Sequence, residues 1–370
     1  MTYTWTERFP YGTIDADWAN VCIGSAGSFM MTSDYDQNPV HSHDAGTSWT
    51  EGTIDYDGGW QQFACSSDGT YVLGGENPGK LYLSSNSAGT FTETQPAGTV
   101  DYHWAPVAVD SDGSNMVAGG YYNFDFYPAR LWLSTNYGAS WSEIRPSGDA
   151  NRAWVSLAVD ADASVIAAMG GVGFAGYGRV YLSTNSGANW SEKTPTGTAT
   201  DYYWIDVDCD YSGSIILAAN TGPGNLYLSK NAGSTWTEVK PAGNTVKWWQ
   251  GVAVSGDGAY LFACEFGDVN MGGGRVYYSY DCGDTWHETF PAGDNNREWG
   301  SIDTDYDGSV LILSETGGGE TFGRLFTGIR DEVITGNIHK IIGVDVPDAL
   351  VKKFCGVTLA NIKKVSSIAK

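Results

Sequence analysis

A short segment recurs along this chain, and its recurrence constrains the fold more strongly than any single residue does. Residues 81–91 read LYLSSNSAGTF, close copies follow at 131–141, 180–190, 226–236 and 276–286, and a more divergent copy ends at residue 49. Each copy carries an Asp or Asn at the same place in the motif, and these positions are separated by 42 to 50 residues. A repeat of this length is typical of one four-stranded blade of a β-propeller. The repeated positions are Asp44, Asn86, Asn136, Asn185, Asn231 and Asp281.

These copies resemble the Asp-box motif, or BNR repeat, of sialidases, sortilin-type receptors, xyloglucanase-like glycosidases and photosystem assembly-factor propellers. The segment 279–286, SYDCGDTW, is the cleanest match. The resemblance implies that each box is a turn between the third and fourth strands of a blade, in which the Asp or Asn caps backbone donors and the aromatic residue packs between sheets. Such a role is structural and carries no information about catalysis.

A second periodic feature allows the blades to be counted independently. Seven tryptophans each precede an apolar strand by two residues, although only six boxes are present. Residues 5–10, WTERFP, match the strand that follows each box, so the chain is expected to begin with the outer strand of its last blade. The sequence therefore predicts an all-β, seven-bladed β-propeller over residues 1–328, closed by its N-terminal strand. The tryptophans are Trp18, Trp60, Trp104, Trp154, Trp204, Trp249 and Trp299.

The last part of the chain, residues 329–370, differs in composition from the repeats. It carries seven basic and four acidic residues and short units such as IIGV and CGV, which favour a short β-rich tail over a helix. These units resemble the C-terminal segments of virion and tail-associated phage proteins. A segment this short is unlikely to form a core alone, and we therefore interpret 329–370 as a tail for attachment to other subunits of an assembly.

Charge and composition exclude several classes of function. The net charge of −23 repels phosphate backbones and anionic lipids, so we expect no nucleic-acid partner. No apolar run is long enough to span a bilayer, and we expect no membrane insertion. The N-terminus lacks the features of a signal peptide, and the six cysteines form no CxxC pair, which predicts free thiols and folding in the cytoplasm.

The segment 7–10, ERFP, invites comparison with the arginine signature of sialidases. However, Glu-x-x-Pro recurs in later blades, as at Glu143, Glu192, Glu238 and Glu288, so this element is interpreted as an outer strand and its turn. Basic residues also occupy one repeated position before the box, which again indicates a scaffold role. These residues are Lys80, Arg130, Arg179, Arg275 and Arg324.

The repeat is broken close to the predicted axis. Four residues after the tryptophan most blades carry a small residue, whereas blades five and seven carry Asp208 and Asp303, with Asp206 two residues earlier. Carboxylates in such a crowded place are either bonded to neighbouring backbone or functional, and we favour the structural role. If the protein is an enzyme, these three residues are the catalytic candidates of a glycoside hydrolase, whose chemistry needs two carboxyl groups.

No cofactor or metal site is expected. Residues 303–308, DTDYDG, look like the opening of a calcium loop, but the same place in other blades is a hairpin turn. Aromatic and polar residues that differ between blades are instead expected on the face opposite the boxes, where they suit sugar rings. The seven repeated tryptophans are more simply packing between blades. The candidate ligand-binding residues are Tyr102, His103, Tyr122, Arg152, Tyr177, Tyr202, Tyr203, Trp248 and Arg297.

These features favour a non-enzymatic propeller that serves as a structural, receptor-binding or glycan-binding component of an extracellular particle, such as a phage-type virion tail or fibre protein. Its partners would be a glycan or cell-surface receptor and, through the tail, other subunits. The alternative is a glycoside hydrolase that acts on polysaccharide through Asp206, Asp208 and Asp303. An intracellular assembly factor is a third class, and the acidic propeller argues against it.

Overall fold

Over the residues that it describes, the computed structural model is all-β, and the strands form seven antiparallel sheets. Two of these sheets, those of blades four and five, are also joined by two residue pairs at one edge. The model describes residues 2–331 with the following exceptions: 13–15, 17, 19, 36, 55–58, 78, 99–101, 123–126, 129, 151, 172–176, 199–201, 222–223, 246, 268–273, 294–296 and 317–322.

Each sheet is one blade, and its strands run in order from the axis outward. Blade one consists of β2 (Cys22–Ile23), β3 (Met30–Thr32), β4 (Val40–Ser42) and β5 (Thr50–Glu51). Blade two consists of β6 (Gly59–Cys65), β7 (Val72–Asn77), β8 (Leu81–Ser84) and β9 (Thr92–Thr94). Blade three consists of β10 (His103–Val109), β11 (Met116–Tyr122), β13 (Leu131–Ser134) and β14 (Ser142–Ile144), with β12 (Tyr127–Pro128) beside β11.

Blades four to seven follow the same plan. Blade four consists of β15 (Ala153–Val159), β16 (Ile166–Gly171), β17 (Tyr177–Ser183) and β18 (Ser191–Lys193), and blade five of β19 (Tyr202–Cys209), β20 (Ile216–Asn220), β21 (Leu226–Ser229) and β22 (Thr237–Val239). Blade six consists of β23 (Trp249–Val254), β24 (Leu261–Glu265), β25 (Val276–Ser279) and β26 (His287–Thr289). Blade seven consists of β27 (Trp299–Thr304), β28 (Val310–Glu315), β29 (Leu325–Arg330) and β1 (Tyr3–Arg8).

The N-terminal strand completes blade seven, as the sequence predicts. β1 pairs with β29 over six residues, from Tyr3 opposite Arg330 to Arg8 opposite Leu325. The innermost strands of all seven blades contact one another in sequence, and the contact between β27 and β2 closes the ring. The expected all-β propeller closed by its first strand is therefore confirmed, and closure removes the free inner edges that an open array would expose.

The seven ring tryptophans lie between blades. All seven are buried, with at most 5% of their surface exposed. Trp204, for example, packs against Met169 and Leu182 of blade four and Ile216 of its own blade. Side chains of this size dominate a core energetically, so the tryptophans join neighbouring blades and do not form an open ligand surface.

The six repeated Asp or Asn residues begin tight turns between the third and fourth strands, which we call the repeat turns. Asp281 Oδ1 accepts a hydrogen bond from the Thr285 amide (2.8 Å), and Oδ2 accepts one from the Thr285 hydroxyl (2.6 Å). Cys282 and Gly283 adopt left-handed conformations, with φ of 55° and 84°. Asp44, Asn86, Asn136, Asn185 and Asn231 accept equivalent amide bonds of 2.7 to 2.9 Å.

The repeated basic residues and the glutamates of Glu-x-x-Pro are partners on the outer strands. Each pair joins the third strand of a blade to its fourth, and all are partly exposed, so each contributes at most about 1 kcal/mol. Arg8 donates from Nε to Thr327 Oγ1 (2.7 Å) within blade seven, which is a sheet contact. The pairs are Lys80–Glu93, Arg130–Glu143, Arg179–Glu192, Arg275–Glu288 and Arg324–Glu7.

The expectation of free thiols holds for Cys22, Cys65, Cys209 and Cys264, whereas Cys282 takes part in a disulfide, contrary to that expectation.

Among the described residues, no helix is long and apolar enough to cross a membrane. β29 extends to Arg330, two residues past the boundary predicted at 328. The rest of the predicted tail, residues 332–370, lies outside the described part of the chain.

Candidate functional site

The two faces of the propeller differ in construction. The repeat turns and the hairpins between the first two strands share one face, which we call the turn face, because the Cys282 amide donates to the Ala259 carbonyl (3.1 Å) and five other blades repeat this bond. On this face, a ring of seven backbone hydrogen bonds of 2.7 to 3.1 Å links the hairpins of consecutive blades around the axis. Its members are Ser25, Ser67, Ser111, Ala161, Tyr211, Gly256 with Asp257, and Tyr306.

An axial channel with a cavity volume of about 190 Å³ runs between the innermost strands. At its turn-face end, the Tyr211 hydroxyl lies 2.6 Å from Ser67 Oγ, across the axis from blade five to blade two. The Tyr306 ring packs edge-on against Tyr211, with centroids 5.3 Å apart. These two rings, together with the ring of backbone bonds, obstruct the turn-face end of the channel.

The opposite end opens into a wider cavity of about 570 Å³, which we call the funnel. Asn20, Gln62, Asp206 and Ser301 line both the channel and the funnel, so the two cavities are continuous. The remaining lining is set by a repeated position, the residue directly after the ring tryptophan. In six blades this residue is Gln61, Ala105, Val155, Ile205, Gln250 or Gly300.

The three axial carboxylates bridge neighbouring blades. Asp208 Oδ2 accepts a hydrogen bond from the Val254 amide (2.7 Å), and Oδ1 accepts one from Cys209 (2.8 Å). Asp303 does the same between blades seven and one, with the Ile23 amide at 3.0 Å and the Thr304 amide at 2.8 Å. Charged acceptors bonded to two backbone donors have partners in place, as buried polar groups require.

Among the described residues that line the funnel, Asp206 is the one carboxylate. Its Oδ2 accepts from the Val252 amide (2.9 Å), and its Oδ1 accepts from the Ser156 hydroxyl (2.8 Å) and the Val207 amide (3.0 Å). Gln62 makes a similar bridge, because its Oε1 accepts from the Val107 amide (3.2 Å). Asp206 therefore belongs to a set of side chains that join each innermost strand to the next one.

Burial raises the pKa of each axial carboxyl group. The pKa of Asp206 is raised to about 6 and that of Asp303 to about 7, in both cases chiefly because water is excluded. The pKa of Asp208 lies well above its usual value, first through burial and then through the nearby charge of Asp303. Raised carboxyl pKa values occur both at active sites and in buried structural networks, so the hydrogen bonds must decide between the two.

Four of the nine predicted ligand residues lie at the boundaries between blades. Two residues before the ring tryptophan, the backbone forms a bridge to a glycine of the preceding blade, as between Tyr102 and Gly79, Tyr202 and Gly178, and Arg297 and Gly274. Arg152 occupies the same position, and its guanidinium lies 5.9 Å from the centre of the Tyr181 ring. The structure distributes these residues around the ring and does not gather them in one site.

The other predicted ligand residues have varied settings. His103 is buried, and burial lowers its pKa. Tyr203 is half-buried and its carbonyl accepts from the Thr221 amide (2.8 Å). Trp248 is exposed (42%) beside Phe266, whose amide donates to the Trp248 carbonyl (2.7 Å). The backbones of Tyr122 and Tyr177 lie in β11 and β17, and their side chains lie outside the described part.

Sequence reasoning missed the residues that line the funnel. Gln61 and Gln250 vary between blades at the position after the ring tryptophan, next to residues that the sequence analysis did single out. The available signal was variation at an otherwise periodic position that faces the axis. It was overlooked because a single polar residue after a large aromatic one resembles an ordinary strand pattern.

No protein-family model matches the chain, and no curated protein matches it. Solved structures are similar in fold. A structure of YCF48 bound to D1 peptide is 11% identical with a TM-score of 0.63, covering 90% of this chain and 97% of that one.

The GH74 xyloglucanase from Xanthomonas campestris is 18% identical with a TM-score of 0.63, covering 87% of this chain and 53% of that one. The Cps50 (Swd1) β-propeller domain of Myceliophteria thermophila is 12% identical with a TM-score of 0.59, covering 89% of this chain and all of that domain. At these identities the similarity extends to the fold alone. The chain is therefore a β-propeller, and its function has to be argued from its own site.

Proposed function

We propose that this chain is a non-enzymatic binding propeller that receives a neutral, hydroxyl-rich ligand such as a glycan in the funnel. We further propose that it is a component of an extracellular particle, a phage-type virion tail or fibre, which folds in the cytoplasm and attaches to other subunits through residues 329–370. The observation that carries the binding proposal is the lining of the funnel. It combines amides and hydroxyls with small apolar side chains, and among the described residues it contains one carboxylate.

The amides of the funnel have bonding capacity to spare. The side chain of Gln250 makes no hydrogen bond to any residue that the structure describes. The side chain of Gln61 makes one weak bond, in which its Nε2 donates to the Trp60 carbonyl (3.3 Å). Gln62 uses its Oε1 for the bridge to Val107 and retains its Nε2 donor. Amide groups both donate and accept, as sugar hydroxyls do, so they suit a polyhydroxylated ligand better than a charged one.

The axial carboxylates support binding over hydrolysis. A glycosidase places two carboxyl groups about 5–10 Å apart on either side of the scissile bond. Asp208 and Asp303 line the narrow channel and not the funnel, and each is bonded to two backbone amides. Asp206 alone therefore reaches the place where a sugar would enter, among the residues that the structure describes.

The place at which the described chain ends, residue 331, supports the proposed attachment through the tail. Arg330 takes the place of a repeat turn in blade seven, since its amide donates to the Ser309 carbonyl (2.8 Å) of the adjacent hairpin. Asp331 follows, and its amide donates to the Thr2 carbonyl (2.9 Å). Residue 331 thus lies on the turn face, and subunits bound on that face would leave the funnel on the opposite face exposed.

The resemblance of the repeat turns and the similarity in fold both point to two classes of ligand, glycans and peptides. The repeat turns resemble the Asp-box, which occurs in propellers that bind or cleave glycans and in propellers that bind proteins. The similar solved structures include a propeller bound to a peptide and a xyloglucanase. The funnel lining, which is uncharged apart from Asp206, favours the glycan over the peptide.

A glycan array with parallel measurement of reducing-sugar release tests this proposal. Gln250→Ala is expected to weaken binding about 5-fold, because it removes hydrogen bonds worth about 1 kcal/mol. Gln250→Trp is expected to abolish binding, since the indole would fill the mouth of the funnel. Gln95→Ala, on an exposed turn outside the funnel, is the matched control. Trp248→Ala tests an exposed indole that does not line the funnel. If Trp248→Ala loses glycan binding while Gln250→Trp still binds, the funnel is not the binding site.

Light scattering tests attachment through the tail. Under reducing conditions, which open the disulfide of Cys282, the full chain is expected to associate at high concentration, whereas a chain ending at Asp331 is expected to remain a monomeric propeller. The reason is that residues 332–370 add many apolar side chains and basic residues to an acidic propeller. A full-length protein that stays monomeric while its tail is digested as fast as a random coil would contradict the assembly role.

A further inference from the structure

The funnel wall has two chemically different halves. Blades three, four and five present Ala105, Val155 and Ile205 at the position after the ring tryptophan. Blades six and two present Gln250 and Gln61 at the same position. Because the blades are arranged in order around the axis, the three apolar residues form one continuous arc and the amides lie on the other side.

The amide arc is reinforced by further polar groups. Asn20, Tyr35, Ser301 and Thr316, which belong to blades one and seven, also line the funnel. Asn20 Nδ2 donates to Ser301 Oγ (2.9 Å), which leaves its Oδ1 as an acceptor. The funnel volume of about 570 Å³ is within the range of small-molecule sites, ~300–1,000 Å³. A ligand that fills it therefore meets hydrogen-bonding groups on one side. On the other side it meets three apolar side chains and Asp206 of blade five, whose oxygens already accept three hydrogen bonds.

From this asymmetry we propose that the funnel selects a terminal 6-deoxyhexose, with its methyl group against Ala105, Val155 and Ile205 and its hydroxyls towards the amide arc. This inference rests on the proposed glycan-binding function and specifies its ligand. A hexose with a hydroxyl at C6 would bury that hydroxyl against the apolar arc without a partner, which is unfavourable. A methyl group at C6 removes the unpaired group and buries apolar surface.

Other sugar classes fit the two arcs less well. An N-acetyl group carries a methyl, but its own N–H and C=O would also be buried against the apolar arc, where the oxygens of Asp206 already accept other hydrogen bonds. Acidic sugars would be repelled by Asp206 and by the net charge of −23. The 6-deoxyhexose is the class in which one edge is apolar and the remaining groups are neutral hydroxyls.

Matched sugar pairs test this selection on the full-length protein. L-fucose is compared with L-galactose, and L-rhamnose with L-mannose, because the members of each pair differ in the hydroxyl at C6. Titration calorimetry is expected to show that the protein binds the 6-deoxy member of at least one pair about 10-fold more tightly. Val155→Thr combined with Ile205→Thr is expected to bring that ratio close to one, since the new hydroxyls supply partners in the apolar arc.

Val239→Thr, a similar change in the outer strand of blade five and away from the funnel, is the control and should leave the ratio unchanged. Equal affinity within both pairs, tighter binding of N-acetylated sugars, or an unchanged ratio in the double variant would each overturn the 6-deoxyhexose inference while leaving the glycan-binding proposal intact. Absence of binding to every sugar on the array would instead overturn the proposed function itself.

Discussion

Deletion of residues 2–8 is expected to leave a protein that aggregates or unfolds at ambient temperature. These residues form β1, which supplies the six-residue pairing with β29 that completes blade seven. Tyr3 is buried between blades, with its ring 5.8 Å from Phe262 and 5.3 Å from Tyr278, and its hydroxyl donates to the Gly308 carbonyl (2.7 Å). The loss is expected to approach the whole stability of an ordinary domain, about 5–15 kcal/mol.

Point variants distinguish the contribution of the buried Tyr3 side chain to stability from that of the rest of β1. Tyr3→Ala is expected to lower the free energy of unfolding by about 3–5 kcal/mol, as for other buried aromatic residues. Thr6→Ala, at an exposed position of the same strand, is the control and should change it by less than about 0.5 kcal/mol. Adding a peptide of residues 1–10 to the truncated protein should restore part of its stability. A soluble truncated protein with the unfolding temperature of the full chain would contradict closure by β1.

The propeller is expected to become more stable as the pH falls from 8 to 5. Burial raises the pKa of Asp206 to about 6 and that of Asp303 to about 7, above the value of 3.8 that an Asp has in the unfolded chain. A group with a raised folded pKa stabilises the fold fully below its unfolded pKa, and this contribution is lost as the pH rises through the folded value. At 1.36 kcal/mol per pKa unit, the roughly two units between pH 7 and pH 5 allow Asp303 alone to account for up to about 3 kcal/mol.

The acid limit of this trend has a different cause. Bonds from Ser48, both from its amide and from its hydroxyl, lower the pKa of Asp44 to about 2, and its contribution is lost as the pH falls towards that value. Similar bonds lower the pKa of Asp112 and Asp162. The greatest stability is therefore expected near pH 4–5, between the two groups of carboxyls.

Denaturant unfolding at pH 5 and pH 8 provides the measurement. Asp303→Asn is expected to reduce the difference between the two pH values, because the amide does not titrate. Asp284→Asn, on an exposed repeat turn, is the matched control and should leave the difference as it is in the unmodified protein. Equal free energies of unfolding at the two pH values, or an unaltered difference in Asp303→Asn, would contradict burial as the dominant influence on this carboxyl.

The features that could be predicted from sequence are those that depend on neighbours along the chain. A repeat turn is closed by bonds between residues four apart, such as Asp281 and Thr285, so it leaves a motif that can be recognised. The spacing of these motifs indicates the blade, and the match of residues 5–10 to later outer strands indicates how the ring closes. β1 lies where that match placed it, because a strand that completes a repeated sheet must resemble its equivalents.

The tertiary structure alone decided which side chains meet at the axis. Asp206 bonds to Val252 and Asp303 to Ile23, across 46 and 280 positions of the chain, and no local pattern records such contacts. The funnel is formed by residues from all seven blades, so its two arcs exist only once the blades are arranged in a ring. The sequence by itself determined the repeating unit and its closure, because these follow from local bonds and periodic burial. The site depended on the geometry of the whole ring, because that geometry sets which of the varying residues face one another.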